Sequence, residues 1–163
     1  MPYKHLQRLL AVASDSHGNY NALEQLLMEN PNIDGLLFLG DGMREFEDLQ
    51  SVHPNLPMVG VPGNCDYSYR EPHTRIYQDR ELRIMLTHGH YYHVKSGLEY
   101  LLEAARASNV SAVLYGHTHR ERAEQEANGL WVINPGSLGF SRTYALLEIS
   151  QKGIQAELRS LPR

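Results

Sequence analysis

Apolar and polar positions along this chain come in blocks, and the blocks repeat. Leu9 to Ala13 is an unbroken apolar run followed at once by Ser14-Asp15-Ser16-His17-Gly18-Asn19, the pattern of a central strand delivering a loop. From Asn19 to Asn30, Ala22, Leu23, Leu26 and Leu27 recur at three- and four-residue spacing. That spacing predicts a helix, capped by Asn19 or Asn21 and ended by Pro31. A second run, Gly35 to Leu39, ends on Gly40-Asp41-Gly42-Met43-Arg44, and a third, Met58 to Val61, ends on Pro62-Gly63-Asn64-Cys65-Asp66. Unbroken rather than alternating hydrophobicity predicts strands covered on both faces, as in parallel sheets with helical crossovers.

The pattern continues in the second half. Leu82 to Leu86 leads into Thr87-His88-Gly89-His90, and Ala112 to Tyr115 leads into Gly116-His117-Thr118-His119. Between them Leu98, Leu101, Leu102 and Ala105 form the buried stripe of a helix, with Glu99, Glu103 and Arg106 for its wet side. Residues 120–128 are charged and predict a surface strand or loop. Leu130 to Ile133, Thr143 to Ile149 and Ile154 to Leu158, separated by Pro135-Gly136 and Lys152-Gly153, predict an antiparallel tail.

Composition narrows the classes. The 163 residues, 42% hydrophobic and 21% charged, fit one domain over 1–163, with no linker, repeat or low-complexity tract. A formal net charge of -4 argues against a dedicated nucleic-acid-binding surface or attraction to anionic lipid. No apolar run approaches the roughly 18 residues of a membrane span. Lys4 and Arg8 ahead of Leu9 to Ala13 imitate a secretion signal, but the apolar stretch is too short for one and reads as a first strand. Cys65 is the only cysteine, which excludes an internal disulfide and a thiolate zinc cluster and suits a reducing, cytoplasmic setting. The nine histidines are the oddity.

The chemistry lies where the runs end, because loops from several strands converge at the carboxyl edge of an α/β sheet. Asp15 and His17, Asp41, Asn64, His88 and His90, and His117 and His119 all follow apolar runs. Each motif alone is an ordinary turn or cap. Five in succession, all offering oxygen or imidazole nitrogen, point to a metal centre. In an extended loop, positions i and i+2 project to the same side, so Asp15 with His17 and His117 with His119 can each send two ligands to one place.

In that order, Asp15-x-His17, Gly40-Asp41, Gly63-Asn64, His88-Gly89-His90 and Gly116-His117-Thr118-His119 resemble the calcineurin-like metallophosphoesterases, and most closely their small single-domain prokaryotic phosphodiesterase branch. The resemblance runs from Leu9 to the Asn134-Pro135-Gly136-Ser137 turn. It implies an α/β fold, a four-layer α/β/β/α sandwich with two mixed sheets. It also implies a dinuclear centre in which Asp15, His17 and His119 hold one metal, Asn64, His88 and His117 hold the other, and Asp41 bridges. The implied function is a phosphodiesterase acting on a small phosphodiester through a metal-bridging hydroxide, with two divalent ions about 3.5–4 Å apart clamping the phosphoryl group. Manganese is the metal the resemblance favours. Nickel, zinc, iron and cobalt also suit imidazole, amide and carboxylate donors. The summed charges of two such ions, two aspartates and hydroxide leave the pocket about +1, attractive to phosphate in an acidic protein.

One departure bears on mechanism. Larger superfamily members usually carry a histidine after Gly-Asn that protonates the leaving oxygen, whereas this chain has Cys65, as the small branch does. Losing that donor predicts a preference for good leaving groups. His90 is the substitute candidate, with a ligand-orienting role as its alternative, so Asp41, His90 and Cys65 are the catalytic candidates. Arg44 and Arg120 read first as solvated, and second as phosphate contacts. Tyr91, Tyr92 and His93 suit either stacking or packing. A phosphomonoesterase on the same centre is the nearer rival function. A non-catalytic protein-binding scaffold, a role this fold also serves in membrane trafficking, is disfavoured by the complete ligand set. A homo-oligomer, dimer or tetramer, is expected from general frequency.

Overall fold

The computed structural model describes residues 7–67 and 69–163; Lys4 lies outside them. Strands β1 (Arg8–Ala13), β2 (Gly35–Phe38) and β3 (Met58–Gly60) lie parallel, with Leu10 opposite Gly35 and Leu36 opposite Met58. Between them run helices α1 (Tyr20–Glu29) and α2 (Met43–Val52). The Asn19 side chain caps α1 by accepting from the Ala22 N–H at 3.0 Å. The second half supplies β4 (Thr74–Asp79), β5 (Leu82–Thr87), a short 3₁₀ turn at His90–Tyr92, α3 (Glu99–Ala107), β6 (Ala112–Leu114), β7 (Arg122–Gln125) and β8 (Trp131–Asn134). The chain then returns as β9 (Thr143–Ser150) and β10 (Gly153–Ser160). Two five-stranded mixed sheets result, ordered β10-β9-β1-β2-β3 and β4-β5-β6-β8-β7.

Alternation along the strands sorts the core into layers. On the first sheet Ala11, Ala13, Leu36 and Phe38 face Ala22, Leu23 and Leu26 of α1 and Phe46 and Leu49 of α2, with the Phe38 and Phe46 rings stacked at 4.9 Å. Their neighbours Leu10, Val12, Leu37 and Leu39 turn the other way, onto Ile84, Leu86, Ala112, Leu114 and Ile133 of the second sheet. Met85, Val113 and Val132 on that sheet's outer face meet Leu101 and Ala105 of α3. Helix, sheet, sheet, helix is the order, and both faces of the central strands are covered, as their unbroken hydrophobicity requires. Each fully buried leucine stabilises the sandwich by about 1.5–3 kcal/mol.

The tail is corrected in one place. β9 and β10 are antiparallel, but Leu130 to Ile133 does not join them. As β8 it pairs parallel with β6, Val113 opposite Val132, and antiparallel with β7. Val132 and Ile133 are buried on opposite faces, an environment found inside the second sheet and absent at its edge. Residues 120–128 contain the edge strand β7. Two elements, α2 and β4, have no counterpart among those read from the sequence.

Candidate metal centre

The loops after β1, β2, β3, β5 and β6 meet at one edge of the sandwich, and the structure brings most of the sequence candidates together there. Donor atoms of Asp15, His17 and His119 lie within 4.8 Å of one another, as do those of Asp41, His88 and His117, and those of His17, Asp41 and Cys65. Asp41 thus belongs to two groups on opposite sides: its Oδ2 is 3.7 Å from His17 Nε2 and 3.3 Å from His88 Nε2. Asn64 is exposed beside Cys65 and donates to the Cys65 sulfur at 3.6 Å. His90 sits behind the second group, its ring 5.5 Å from that of His88 and 6.2 Å from that of His117.

The backbone is strained to achieve this. Among the described residues nine non-glycine positions have positive φ, and five of them are Asp15, His17, Asp41, His117 and His119. Each costs of order 1 kcal/mol or more, and such strain concentrates where side chains must be aimed. Close approach adds a demand for glycine. A Cβ at Gly63 would overlap Asp41 Oδ1, and one at Gly116 would overlap Ser14 Oγ and crowd Asp15 Oδ2.

Oδ2 of fully buried Asp15 accepts from the Ser14 hydroxyl at 2.5 Å and the His117 N–H at 3.1 Å. Its Oδ1 faces His119 Nε2 at 3.1 Å and His17 Nε2 at 3.4 Å. The turn after β8 holds its backbone: Ser137 Oγ donates to the Asp15 carbonyl at 2.8 Å, and the Gly139 N–H does so at 3.1 Å. Buried Asn134 donates to the Gly116 carbonyl and to Thr118 Oγ1. The Asn134–Ser137 segment therefore supports the ligand loops from behind.

Two acids that the motif reading passed over perform the same service. The Asp66 carboxylate accepts N–H groups from Asp41, Gly42, Met43 and Gly63 at 2.7–3.0 Å. It thereby caps α2, whose own cap residue Gly42 has no side chain, and ties together the loops carrying Asp41 and Asn64. Glu45 in the first turn of α2 accepts from Ser16 Oγ at 2.8 Å and from the Gly18 N–H. Phe140 is the third omission, 67% exposed yet stacked on His17 with ring centres 5.0 Å apart. An acid two residues after Asn64 in the Gly63-Asn64-Cys65-Asp66 turn was a readable signal. Glu45 and Phe140 carry none, since their partners are distant in sequence.

The donor set fits cations. His88 Nδ1 donates to the Leu39 carbonyl at 2.7 Å; a carbonyl can only accept, so the tautomer is fixed and Nε2 is turned toward Asp41 and His117. Buried His17 Nε2 has no hydrogen-bond partner among the described residues and faces two carboxylates. Burial opposes a charge on His88, but the Asp41 hydrogen bond and the Asp15 and Asp41 carboxylates outweigh it and raise its pKa. Burial likewise opposes the Asp41 carboxylate, and His88 and the Cys65 N–H overcome it, holding Asp41 well below the usual carboxylate range. The edge thus draws positive charge. Burial, with His88 and Lys95 nearby, lowers His117 to about 4, leaving it neutral at pH 7. Burial, then His88 and His73, lower His90. Burial and the Asp41 carboxylate raise the Cys65 thiol, so it stays protonated at neutral pH.

Residues 9–152 match the family model of the calcineurin-like phosphoesterase superfamily domain. The chain belongs to the calcineurin-like phosphoesterase superfamily. Its phosphoesterases are metal-dependent hydrolases, in keeping with the three groups of metal-capable donors. A probable metallophosphoesterase of Bacillus subtilis, YsnB, is 28% identical over 145 residues, spanning 85% of this chain and 82% of that protein. A predicted phosphoesterase from Streptococcus pneumoniae is similar in structure, with a TM-score of 0.81 at 25% identity over 94% of this chain and 90% of its own. Two solved structures at lower identity share the fold. Vacuolar protein sorting 29 from Cryptosporidium parvum has a TM-score of 0.74 at 18% identity, covering 94% of this chain and 97% of that one. An archaeal phosphodiesterase has a TM-score of 0.70 at 20% identity, covering 93% and 99%. No described helix of this superfamily member is long and apolar enough to cross a membrane.

Proposed function

We propose that this phosphoesterase is a cytoplasmic phosphodiesterase working through two divalent ions. Asp15, His17 and His119 would hold one, Asn64, His88 and His117 the other, and the Asp41 carboxylate both. The observation that carries this reading is the position of Asp41, the one residue shared by the His17–Asp41–Cys65 and Asp41–His88–His117 donor groups, with His17 linking the first of these to Asp15 and His119. When bound, the ions supply Lewis acidity and a water of lowered pKa. In the reaction the water oxygen bonds to phosphorus, the ester P–O bond breaks, and the leaving oxygen departs with the electron pair and takes a proton.

The residues of the chain orient this chemistry. The Leu39 carbonyl and Ser14 hydroxyl fix His88 and Asp15, and the strained loops aim the imidazoles without reorganisation. His90 faces the same space with a buried, unpartnered Nδ1. Its lowered pKa makes it a neutral hydrogen-bonding group at the leaving oxygen, weaker than an imidazolium acid, which favours substrates with good leaving groups. Cys65 contributes its N–H to Asp41. Nitrogen and oxygen donors suit manganese, with nickel, zinc, iron and cobalt as alternatives. The complete donor set weighs against a scaffold without chemistry, despite the likeness in fold to vacuolar protein sorting 29.

The test is hydrolysis of bis(p-nitrophenyl) phosphate and of p-nitrophenyl phosphate by metal-stripped protein, with Mn, Ni, Zn and Mg restored singly. Diester turnover restored by Mn and exceeding the monoester rate is the expected result. A dominant monoester rate would make the protein a phosphatase, and no turnover with any metal would remove the enzymatic reading.

A further inference from the structure

His88 is oriented from behind by its Nδ1 hydrogen bond to the Leu39 carbonyl, the usual device for aiming an imidazole at a metal. His17 has no hydrogen-bonded partner behind its ring among the described residues, and its buried Nε2 faces the Asp15 and Asp41 carboxylates at 3.4 and 3.7 Å. It is held by rings instead. Phe140 is stacked on it, with centres 5.0 Å and planes 23° apart, and His119 meets it edge-on at 5.2 Å. Phe140 also reaches His119 at 5.6 Å. The three rings close a triangle, and two of its corners belong to one donor group with Asp15. Among the described residues the ring contacts of Phe140 are with these two imidazoles alone. Both imidazoles stand on left-handed backbone, with φ 44° at His17 and 62° at His119, which persists only where the surroundings over-determine it. The turn after β8 supplies that constraint. Ser137 Oγ accepts from the Phe140 N–H at 3.1 Å while donating to the Asp15 carbonyl at 2.8 Å, and a Cβ at Gly139 would overlap the Ser16 carbonyl. One turn thus touches Asp15, His17 and His119 together.

We infer that Phe140 is a positioning residue for one metal position: its ring takes the place of the missing hydrogen bond behind His17 and fixes the aim of His17 and His119, while Asp41, His88 and His117 are aimed without it. The inference rests on the assignment of two metal positions above and is independent of turnover. Phe140 is 67% exposed, so filling the core does not account for its place. Offset stacking does, since an aromatic pair gains beyond the area it buries, and here that gain is spent on the orientation of a side chain with no other tether.

The experiment is calorimetric titration of metal-stripped protein with Mn in two backgrounds. His88→Ala leaves the position of Asp15, His17 and His119, and His119→Ala leaves the other. Phe140→Leu keeps apolar bulk but removes the planar face. In the His88→Ala background it should lower Mn affinity about tenfold, and Phe140→Tyr should retain that affinity. In the His119→Ala background Phe140→Leu should change nothing. The urea midpoint of the metal-free protein should stay in place throughout, because the ring is exposed. Unchanged affinity with leucine, an equal fall in both backgrounds, or a tyrosine variant as weak as the leucine one would overturn the inference. Where the His88→Ala protein does not fold, the otherwise unaltered chain decides: Phe140→Leu should raise the Mn concentration that fills both positions about tenfold, Phe140→Tyr should not, and identical behaviour of the two would overturn the inference. Absence of Mn binding with Phe140 in place would strike the two-position reading, and this inference with it.

Discussion

At the scale of single residues, the site is a set of side chains whose protonation and metal binding compete. His88 illustrates the balance. Its Nδ1 proton is committed to the Leu39 carbonyl, so a second proton and a metal ion contend for Nε2. In the metal-free protein the raised pKa of His88 means that the stabilising contact with Asp41 is fully present below the usual value of 6.5 and is lost as pH rises through the elevated one. Metal loading runs the opposite way and strengthens over the same interval, releasing about one proton per His88 displaced. Mn affinity measured by calorimetry should therefore rise between about pH 6 and about pH 8, with a proton release that depends on buffer ionisation. A flat affinity across that range would contradict the placement of His88 among the ligands. His117, neutral above about 4, adds nothing to this dependence.

At the scale of elements, the first turn of α2 holds the Asp41 loop through one long-range acid. Asp66 satisfies three N–H groups at the helix start and one in the Gly63 turn, work that a local cap does elsewhere. Asp66→Ala should lower stability by about 2 kcal/mol, read as a fall in the urea midpoint with unchanged slope, and Asp66→Asn should recover part of it. A shift within the error of the melt would show that water replaces the carboxylate without loss. This contact also marks the boundary of what the sequence discloses. Central strands and two of the three helices were legible because their burial is periodic or unbroken. α2 was not singled out, although Met43, Phe46 and Leu49 repeat every third residue, because Glu45, Glu47 and Asp48 dilute the stripe. β4 is an edge strand reading Thr-Arg-Ile-Tyr-Gln-Asp, with a solvent-facing Ile76, and has no apolar run to betray it. The parallel pairing of β8 depends on a partner 19 positions away in register, Ala112 with Trp131, which local pattern does not contain. The convergence of the candidate loops was legible because metal chemistry restricts residue type at each position. Of their supports, Asp66 left a signal in its place after the Gly63-Asn64 turn, whereas Glu45 left none, because a supporting hydrogen bond can be made by many residues from many places.

At the scale of the molecule, the two sheets meet where two of the three donor groups need both of them. Asp15, His17 and Asp41 come from loops of the first sheet, and His88, His117 and His119 from loops of the second. His17, Asp41 and Cys65 come from the first sheet alone, but the Asp15–His17–His119 and Asp41–His88–His117 groups each draw on both sheets, so the interlayer core of Leu10, Val12, Leu37 and Ile133 sets the distances on which they depend. Asp41 Oδ2 lies 3.7 Å from His17 of one group and 3.3 Å from His88 of the other, nearer to His88 than Asp15 Oδ1 at 3.9 Å. The central claim is that this one carboxylate joins two ions into one centre, and bound metal per chain after equilibrium dialysis against Mn tests it most directly. The wild type should hold two ions, His119→Ala and His88→Ala should each hold one, weakened at different positions, and Asp41→Ala should fail to hold the pair. An Asp41→Ala protein that folds and still retains two tightly bound ions would contradict the account.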